Sequence, residues 1–348
     1  MSQNTVPNKP CLVTLEEGNK YAWCTCKRSK EQPFCDGSHK GTDHRPMVFK
    51  AEKSEDVLLC TCKATRSGPY CDGSHNNLED EYAEASPEEI KSMEGSIFVG
   101  QVDGKAVLDG GAYVMTPGNT KDKVAGNLKY QPVITDEDGA TKLSLHRLCV
   151  SPGTTPWLEY KGVDTVLYLV SGAGQIDIAG ILFDVDKEAG IYIKPGEEFR
   201  IITDQDMVIY ATACPMLTEL SISDDNNSKF DQNQTERYVA FDMATANVMA
   251  NRFYQELVDT KVGSMEVTQF IGQIPKSRAA MHRHLYEEAI VILTGYGRMW
   301  TGIKYTDVKT GDVLFLPHRQ GHSLECTDDG GMMLMGVFYP SGSPAINY

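Results

Sequence analysis

The sequence predicts a mainly β protein with a small metal-bound module at its N-terminal end and two further β domains behind it. Three observations lead to this prediction. A short pattern of cysteine and histidine occurs twice in the first 80 residues, short apolar runs separated by Gly, Pro and Asp fill the chain beyond residue 95, and two stretches of this later part resemble each other. A chain of 348 residues is long enough for two or three domains.

The N-terminal pattern places three cysteines and one histidine in a stretch too polar to fold around a core of its own. Both copies read C-x-C-x8-C-x3-H, and they lie 36 residues apart. Thiolate and imidazole ligands suit zinc or an iron-sulfur cluster, and small units with little apolar surface commonly fold around such a metal. The spacing alone leaves both metals open. The first cysteine set is Cys24, Cys26, Cys35 and His39, and the second cysteine set is Cys60, Cys62, Cys71 and His75.

The residues around these ligands resemble a known family. The segments "PFCDGSH" at 33–39 and "PYCDGSH" at 69–75 carry the signature of the CDGSH iron-sulfur (NEET-type) domain. The resemblance implies that residues 1–80 form a tandem module and that each cysteine set holds one 2Fe-2S cluster. Imidazole is neutral where thiolate is anionic, so a histidine ligand raises the reduction potential of a cluster. Two such clusters together supply a pair of electrons.

Residues 81–95 are predicted to form a linker with a short helix. The stretch is acidic and polar. Ser86 has the form of an N-cap, Pro87 stands at the first helical position and Glu89 follows where it can reach back to the cap. Gly95 is expected to end the helix.

Two β domains are predicted beyond the linker, over residues 96–220 and 221–348. Many short strands with regular turn signals favour an antiparallel sandwich or barrel. Residues 171–200 also match residues 294–322, with glycines and a proline repeating at an offset of about 122 residues. Such a repeat indicates duplicated jelly-roll domains packed together.

The last domain contains a second group of side chains that can bind a metal. His282 and His284 lie two apart in a predicted strand, and Glu288 shares their parity, so all three are expected on one face. His322 follows at the end of a later strand. Three imidazoles and one carboxylate can hold a divalent transition ion with open positions for water, O2 or a substrate. Glu287 is the weaker alternative to Glu288 because its parity points to the other face.

These residues resemble the cupin superfamily. The motif H-x-H-x3-E-x6-G runs from His282 to Gly295, and G-x5-P-x4-H runs from Gly311 to His322. The resemblance implies that His282, His284, Glu288 and His322 are the ligands of one mononuclear divalent metal. Iron is favoured, with manganese, nickel, copper and zinc as alternatives. A glycine that the family usually has shortly before the first histidine is absent here.

Two further side chains near this site have open roles. Cys326 occupies a position where the family often has Asn, and strand parity places it on the same side as His322, so it is expected to line the pocket. His318 is expected at the surface, and a proton-transfer group near the metal is the alternative.

The first of the two β domains lacks the metal ligands. The positions that match the four ligands carry Glu159, Lys161, Thr165 and Arg200. Two fixed positive charges would repel a cation. We therefore expect a degenerate cupin without metal over residues 96–220. An anion pocket anchored by Arg200 is the alternative.

Composition narrows the partners and the location. The net charge of -15 disfavours nucleic acid and anionic membrane surfaces. No apolar run is long enough to span a membrane, and the first residues do not resemble a signal peptide. A cytoplasmic location is expected, where cysteines stay reduced. Four cysteines without ligand spacing are expected to be buried thiols, namely Cys11, Cys149, Cys214 and Cys326.

The combination of sites predicts an oxidoreductase. Cupins host many reactions, so the argument depends on two one-electron clusters in the same chain as a mononuclear metal. The prediction is a non-haem metal oxygenase, dioxygenase or oxidase that acts on a small molecule with O2 and receives electrons from a reductase. The alternatives are a metal-dependent hydrolase or isomerase with structural or regulatory clusters, and a non-catalytic redox sensor. The sequence determines neither the substrate nor the oligomeric state, and a homo-oligomer is compatible with it.

Overall fold

The computed structural model describes residues 10–40, 44–63, 65, 68–71, 95–118, 122–249 and 252–344. The chain divides into two compact units, Met1–Tyr82 with Ser343–Tyr348, and Ala83–Gly342. Strands dominate both units, which confirms the predicted mainly β class. No helix in the described part of the chain is long and apolar enough to cross a bilayer. The helix predicted in the linker lies outside the described residues.

The N-terminal unit is built from two short antiparallel strand pairs. Its strands are β1 (Cys11–Leu15), β2 (Lys20–Trp23), β3 (Met47–Lys50) and β4 (Glu55–Leu59). Strand β1 pairs with β4, and β2 pairs with β3. The buried core is small and consists of Trp23, Leu59, Cys60 and Cys62. So little buried apolar surface agrees with a unit that folds around bound metal.

The larger unit consists of short strands. From Ile97 to Ser223 these are β5 (Ile97–Phe98), β6 (Lys105–Val107), β7 (Tyr113–Met115), β8 (Lys123–Ala125), β9 (Leu128–Ile134), β10 (Ser144–Val150), β11 (Gly153–Thr154), β12 (Trp157–Glu159), β13 (Asp164–Ser171), β14 (Gly174–Ile178), β15 (Ile181–Val185), β16 (Ala189–Ile193), β17 (Phe199–Thr203), β18 (Met207–Cys214) and β19 (Ser221–Ser223).

The remaining strands follow in the same way. They are β20 (Tyr238–Ala240), β21 (Asn247–Met249), β22 (Arg252–Val258), β23 (Thr268–Ile274), β24 (Ser277–Arg278), β25 (Glu287–Thr294), β26 (Tyr296–Thr301), β27 (Lys304–Lys309), β28 (Val313–Leu316), β29 (Ser323–Cys326) and β30 (Met332–Tyr339). Single 3-10 turns occur at Asp109–Gly111, Asp136–Asp138, Met243–Thr245 and Thr260–Val262.

The first sandwich pairs a seven-stranded sheet with a six-stranded one. The larger sheet has the order β20-β16-β13-β18-β10-β9-β8, and the smaller has the order β15-β14-β17-β12-β19 with β11 beside β17. Side chains from both sheets meet in one apolar core, for example Leu167 and Ile209 from the larger sheet and Ile176 and Phe199 from the smaller.

The second sandwich repeats this plan. Its eight-stranded sheet has the order β21-β22-β23-β30-β25-β28-β7-β6, and its five-stranded sheet has the order β24-β29-β26-β27-β5. Its core contains Ile290 and Leu314 from the larger sheet and Met299 and Leu324 from the smaller.

A third core joins the two large sheets. It contains Val166 and Tyr168 from β13 and Ala289 and Val291 from β25. The residues between them on each strand face the interior of their own sandwich. Both faces of these strands are therefore buried, which explains why "TVLYLV" and "AIVIL" are nearly continuous apolar runs.

Strand pairing crosses the domain boundary that the sequence places between residues 220 and 221. Strands β5 and β7 belong to the sheets of the second sandwich, where they pair with β27 and β28. Strands β19 and β20 belong to the first, where they pair with β12 and β16. The predicted boundary therefore does not separate the two hydrogen-bonded frameworks. Short edge strands carry too little apolar pattern to reveal which sheet edge they cover.

Candidate metal centres

The second sandwich brings His282, His284 and His322 together. Their candidate ligand atoms all lie within 4.8 Å of one another. An isolated antiparallel bridge joins the backbones of His282 and His322, with N···O distances of 3.0 and 2.8 Å. The three ring centroids lie 4.3 to 5.0 Å apart. His282 and His284, which are close in the sequence, thus meet the remote His322 at one point.

Backbone carbonyls orient two of these rings. Nδ1 of His282 lies 2.8 Å from the carbonyl oxygen of Ala280, and Nδ1 of His322 lies 2.9 Å from that of Gln320. A carbonyl oxygen only accepts, so each Nδ1 donates and Nε2 carries the lone pair. Imidazoles that bind metals in proteins are commonly held in this way.

The third ring is positioned by aromatic stacking, which the sequence analysis missed. Tyr286 stacks on His284 at 4.6 Å between centroids, and Phe338 stacks on the other side of Tyr286 at 3.9 Å. The signal was present in the sequence, since Tyr286 stands between His284 and Glu288 with the same parity. The contact to Phe338 required the structure because β30 is remote in the chain.

Glu288 lies at the start of β25 beside this cluster. Its Oε2 is 3.6 Å from Nε2 of His284 and accepts no hydrogen bond from the part of the chain that the structure describes. The side chain is buried, and this burial raises the pKa of Glu288 to about 8. A buried carboxylate that accepts no hydrogen bond is unfavourable unless a proton or a cation compensates its charge. Three imidazoles and one such carboxylate fit a divalent transition metal.

The electrostatics of His322 suit the same role. Burial lowers its pKa to about 3, and the neighbouring His282 contributes in the same direction. The ring is therefore neutral in the ordinary pH range, and the neutral form is the one that binds a metal.

Glu287 has a different function from its neighbour. It lies on the opposite face of β25, where its carboxylate accepts hydrogen bonds from the backbone N–H groups of Thr141, Lys142 and Leu143 at 2.8 to 3.1 Å. This carboxylate connects the second sandwich to a loop of the first. The two adjacent glutamates therefore point to opposite sides of the strand, as its alternation requires.

The two side chains with open roles are now placed. His318 is exposed, as expected. Cys326 is 2% exposed and belongs to the core of the second sandwich, and its Sγ donates to the carbonyl oxygen of Asp328 at 3.5 Å. Cys214 is also fully buried, whereas Cys11 and Cys149 are only partly buried, so the expectation of buried thiols was wrong for these two.

The first sandwich carries apolar and aromatic residues where the second carries ligands. The bridge between His282 and His322 has its counterpart between Leu158 and Phe199. Both of these residues, and Tyr160 two positions after Leu158, are buried in the core of the first sandwich. This arrangement is an apolar version of the same site.

The sequence alignment had placed Glu159, Lys161 and Arg200 at these positions, and it was wrong by one residue in register. Arg200 lies on the outer face, where Nε and Nη2 are both 2.9 Å from Oδ2 of Asp177 and the guanidinium lies 4.5 Å from the ring of Trp157. A shift of one residue in a strand exchanges its two faces. Arg200 is thus paired on the outside and is not an inward anchor for an anion.

The first cysteine set forms two close pairs in the N-terminal unit. Cys24 and Cys26 have sulfurs 3.7 Å apart, and Sγ of Cys35 lies 3.0 Å from Nδ1 of His39. Burial tends to raise the pKa of Cys24, but hydrogen bonds from the backbone of Ser29 and Cys26 outweigh it and lower the pKa. A lowered pKa favours the thiolate, which is the form that binds metal.

The second cysteine set is described in part. The sulfurs of Cys60 and Cys62 lie 3.3 Å apart. The bridge between Leu59 and Tyr70 leads the chain to Cys71 and corresponds to the bridge between Trp23 and Phe34 in the first repeat. His75 lies outside the described residues.

Two family models match the chain, one at each end. The model for the iron-binding zinc finger of CDGSH type matches residues 7–40, and the model for the cupin domain matches residues 272–338. The human mitochondrial CDGSH iron-sulfur domain-containing protein 3 is 54% identical over 43 residues, and the mouse protein of the same name is 51% identical. These matches cover 12% of this chain and about a third of each relative.

Solved structures resemble the larger part of the chain. Oxalate decarboxylase from Lactobacillus farciminis, in a formate complex, superposes with a TM-score of 0.55 over 66% of this chain and 87% of its own, at 12% identity. A deletion mutant of the Bacillus subtilis enzyme gives a TM-score of 0.53 over 65% and 76%, also at 12% identity. Protein Ylba from E. coli gives 0.51 over 74% and 99%, at 14% identity.

Identities this low establish the fold and not the activity. The family matches and the cysteine and histidine geometry agree on the two ends of the chain. The chain therefore carries an iron-binding domain of CDGSH type at its N-terminal end and a cupin domain in its C-terminal part.

Proposed function

We propose that the protein is a metal-dependent oxidoreductase whose second sandwich binds one divalent transition metal, iron in particular, through His282, His284, Glu288 and His322. The observation that carries the proposal is the burial of Glu288 beside three converging imidazoles. Such a carboxylate costs free energy in the absence of a compensating charge, and a bound cation would supply that charge.

The residues around the site perform separate tasks in this proposal. A bound transition metal supplies a Lewis-acidic and redox-active centre for a small molecule or O2. The carbonyl groups of Ala280 and Gln320 hold two imidazoles in the binding orientation. Glu288 loses its proton when the metal binds, because burial otherwise keeps it protonated. Tyr286 fixes the third ring and shields one side of it from water.

The N-terminal unit is proposed to hold two 2Fe-2S clusters, one in each cysteine set. The match of the family model to the first repeat and the identical ligand spacing of the second support two clusters. Each cluster exchanges one electron. We propose that a reductase reduces them and that they deliver electrons to the cupin metal during oxidation of a small molecule by O2. None of the ten cysteines, all of which lie in the described part of the chain, forms a disulfide, in keeping with a proposed cytoplasmic location.

A second candidate is a reaction that needs no outside electrons, such as a metal-dependent decarboxylation, isomerisation or hydrolysis of a small polar molecule. The fold likeness to structures named oxalate decarboxylase favours this candidate. The clusters would then be structural or regulatory.

One experiment separates the two candidates without knowledge of the substrate. Metal analysis and electron paramagnetic resonance of the dithionite-reduced protein are expected to detect two clusters and one mononuclear ion. Stopped-flow mixing with O2 is then followed by the visible absorption of the clusters. Reoxidation is expected to be at least about tenfold slower in His282→Ala, in which the cupin metal is lost, than in the wild type.

Equal rates of cluster reoxidation in the wild type and in His282→Ala would contradict electron delivery to the cupin metal. His318→Ala is the matched control because His318 is an exposed histidine outside the cluster. Once a substrate is known, Cys35→Ser and Cys71→Ser give a second comparison. An unchanged turnover rate after loss of the visible absorption would support the second candidate.

A further inference from the structure

A half-buried lysine of the second repeat lies between the two cysteine sets of the N-terminal unit. Lys63 directly follows Cys62, and its backbone N–H donates to Sγ of Cys60 at 3.2 Å. Its ammonium donates to the carbonyl oxygen of Cys60 at 2.9 Å and to Oε1 of Gln32 at 2.9 Å. One side chain of the second repeat is thus fixed against a residue of the first.

Gln32 completes the connection to the first cysteine set. Its Nε2 donates to Sγ of Cys24 at 3.4 Å. The hydrogen bonds therefore form a continuous path from the sulfur of Cys24, through the Gln32 amide and the Lys63 ammonium, to the backbone of Cys60. No other residue is required to link the two sets along this path.

Trp23 holds the same arrangement from the other side. Its indole N–H donates to the carbonyl oxygen of Cys60 at 2.6 Å. The ammonium of Lys63 lies 4.6 Å from the centre of the indole ring, within the range of a cation–π contact. The lysine is therefore positioned by three groups and does not sample solvent like a surface lysine.

The thiolates of both sets act on this ammonium. Burial lowers the pKa of Lys63, and the negative charges of Cys24 and Cys60 oppose that effect. The electrostatic interaction is mutual, so the Lys63 ammonium also stabilises negative charge at both cysteine sets.

Among the described residues, the equivalent lysine of the first repeat does not make the corresponding connection to the second cysteine set. Lys27 occupies the same position in the first repeat, and both lysines have positive φ angles of 59° and 65°, yet Lys27 is exposed. The position that corresponds to Gln32 is Gly68, which has no side-chain amide to donate a hydrogen bond. A Cβ at Gly68 would lie 3.0 Å from the ring of Trp23, so the glycine makes room for the indole. The chain therefore contains two lysines at equivalent positions of the repeat, of which Lys63 is half-buried and Lys27 is exposed.

We infer that Lys63 sets the reduction potentials of the two N-terminal clusters by placing one fixed positive charge between them. This inference rests on the proposed function, because it takes both cysteine sets to hold 2Fe-2S clusters. Reduction adds one electron to a cluster and converts one ferric ion to ferrous, so the reduced cluster carries one more negative charge. A nearby cation stabilises this form more than the oxidised one and raises the potential. Lys63 is a positioning and tuning residue and not a ligand.

The experiment is a potentiometric titration of the full-length protein with dithionite, followed by visible absorption and electron paramagnetic resonance. Lys63→Met is expected to decrease the ratio of reduced to oxidised cluster at a fixed potential about tenfold or more, which equals about 59 mV for a one-electron couple. Lys27→Met is the matched control and is expected to leave the ratio within about twofold of the wild type. Lys63→Arg keeps the charge and is expected to restore most of the potential.

Gln32→Met provides a test if Lys63→Met does not retain clusters. It removes the hydrogen bond to Cys24 and leaves the lysine in the chain, and it is expected to lower the potential of the cluster in the first set more than that in the second. Titration curves of Lys63→Met or Gln32→Met that coincide with that of Lys27→Met would overturn the inference. They would leave the proposal of two clusters unaffected. A wild-type protein without cluster absorption would instead reject the proposed clusters, and the inference with them.

Discussion

The two sandwiches of the larger unit have the same strand arrangement and differ in the side chains that fill one end of each sandwich. In the second sandwich, a backbone bridge joins His282 to His322, whereas the corresponding bridge in the first joins Leu158 to Phe199. The sheets on either side keep the same antiparallel order around these bridges. The framework therefore does not depend on the ligands, and a few side chains decide whether it presents a metal site.

The comparison also teaches how each sandwich is stabilised at this end. Leu158 and Phe199 are fully buried and contribute apolar surface to the core. Glu288 is buried to a similar extent but carries an oxygen without a donor. Apolar side chains fill this end of the first sandwich, whereas the second has a buried carboxyl group whose ionised form would require a compensating cation.

Loss of a ligand is the largest expected effect. His282→Ala removes one of three converging imidazoles and is expected to weaken metal binding more than the roughly 10 to 100-fold that loss of an outer partner costs. Equilibrium dialysis with Fe(II) or Mn(II), followed by metal analysis, measures this change. His318→Ala is the control and should bind like the wild type. Wild-type metal content in His282→Ala would show that the cluster is not the binding site.

The register of the first sandwich is tested by two neighbouring substitutions. Phe199→Ala leaves a cavity in the core and is expected to reduce the free energy of unfolding by about 3–5 kcal/mol. Arg200→Ala removes a partly exposed ion pair on the outer face and is expected to cost about 1 kcal/mol. Urea unfolding of the full chain, followed by tryptophan fluorescence, compares them. A larger loss of unfolding free energy in Arg200→Ala than in Phe199→Ala would indicate that Arg200 faces the interior.

The pH dependence of stability tests the carboxylate of Glu288. Its pKa is about 8 in the folded, metal-free protein and 4.5 as the reference value. Between these values the folded state retains a proton that the unfolded state has released, so the free energy of unfolding falls as the pH rises. The full change is on the order of 5 kcal/mol. Urea unfolding of metal-free protein at a series of pH values measures it.

Glu288→Gln is expected to remove this fall in stability between about pH 4.5 and pH 8. Added metal should act in the opposite direction, with a stabilisation that grows with pH because binding displaces the proton. An identical pH dependence in the wild type and in Glu288→Gln would mean that the carboxyl is not buried as described.

A smaller effect than that of Glu288 is expected at the adjacent glutamate. Glu287→Gln weakens the hydrogen bonds from Thr141, Lys142 and Leu143 and is expected to cost about 1–3 kcal/mol of unfolding free energy. Metal content should stay at the wild-type value because this side chain faces the first sandwich. Thermal unfolding together with metal analysis checks both parts. Loss of metal without loss of stability in Glu287→Gln would indicate that Glu287, and not Glu288, is the metal ligand.

Three of the four predicted ligands of the candidate cupin site lie together, and Glu288 lies beside His284. Strand alternation placed Glu287 and Glu288 on opposite faces. The strand predicted around His282 and His284 was wrong, because both residues lie between β24 and β25 and are joined to His322 through an isolated bridge at His282. The contact of Tyr286 with Phe338 and the path from Lys63 to Gln32 were not predicted. Both join residues whose distance in the chain carries no information about their distance in space.

Taken by itself, the sequence determined the mainly β class, the two cysteine sets and the residues that converge in the second sandwich, because ligand type, spacing and alternation are local properties of the chain. Only the tertiary structure decided that Phe199 rather than Arg200 faces inward, and that β5 and β7 complete the second sandwich while β19 and β20 complete the first. Register and edge pairing are settled by which arrangement buries the most apolar surface and pairs the most backbone groups across the whole sheet.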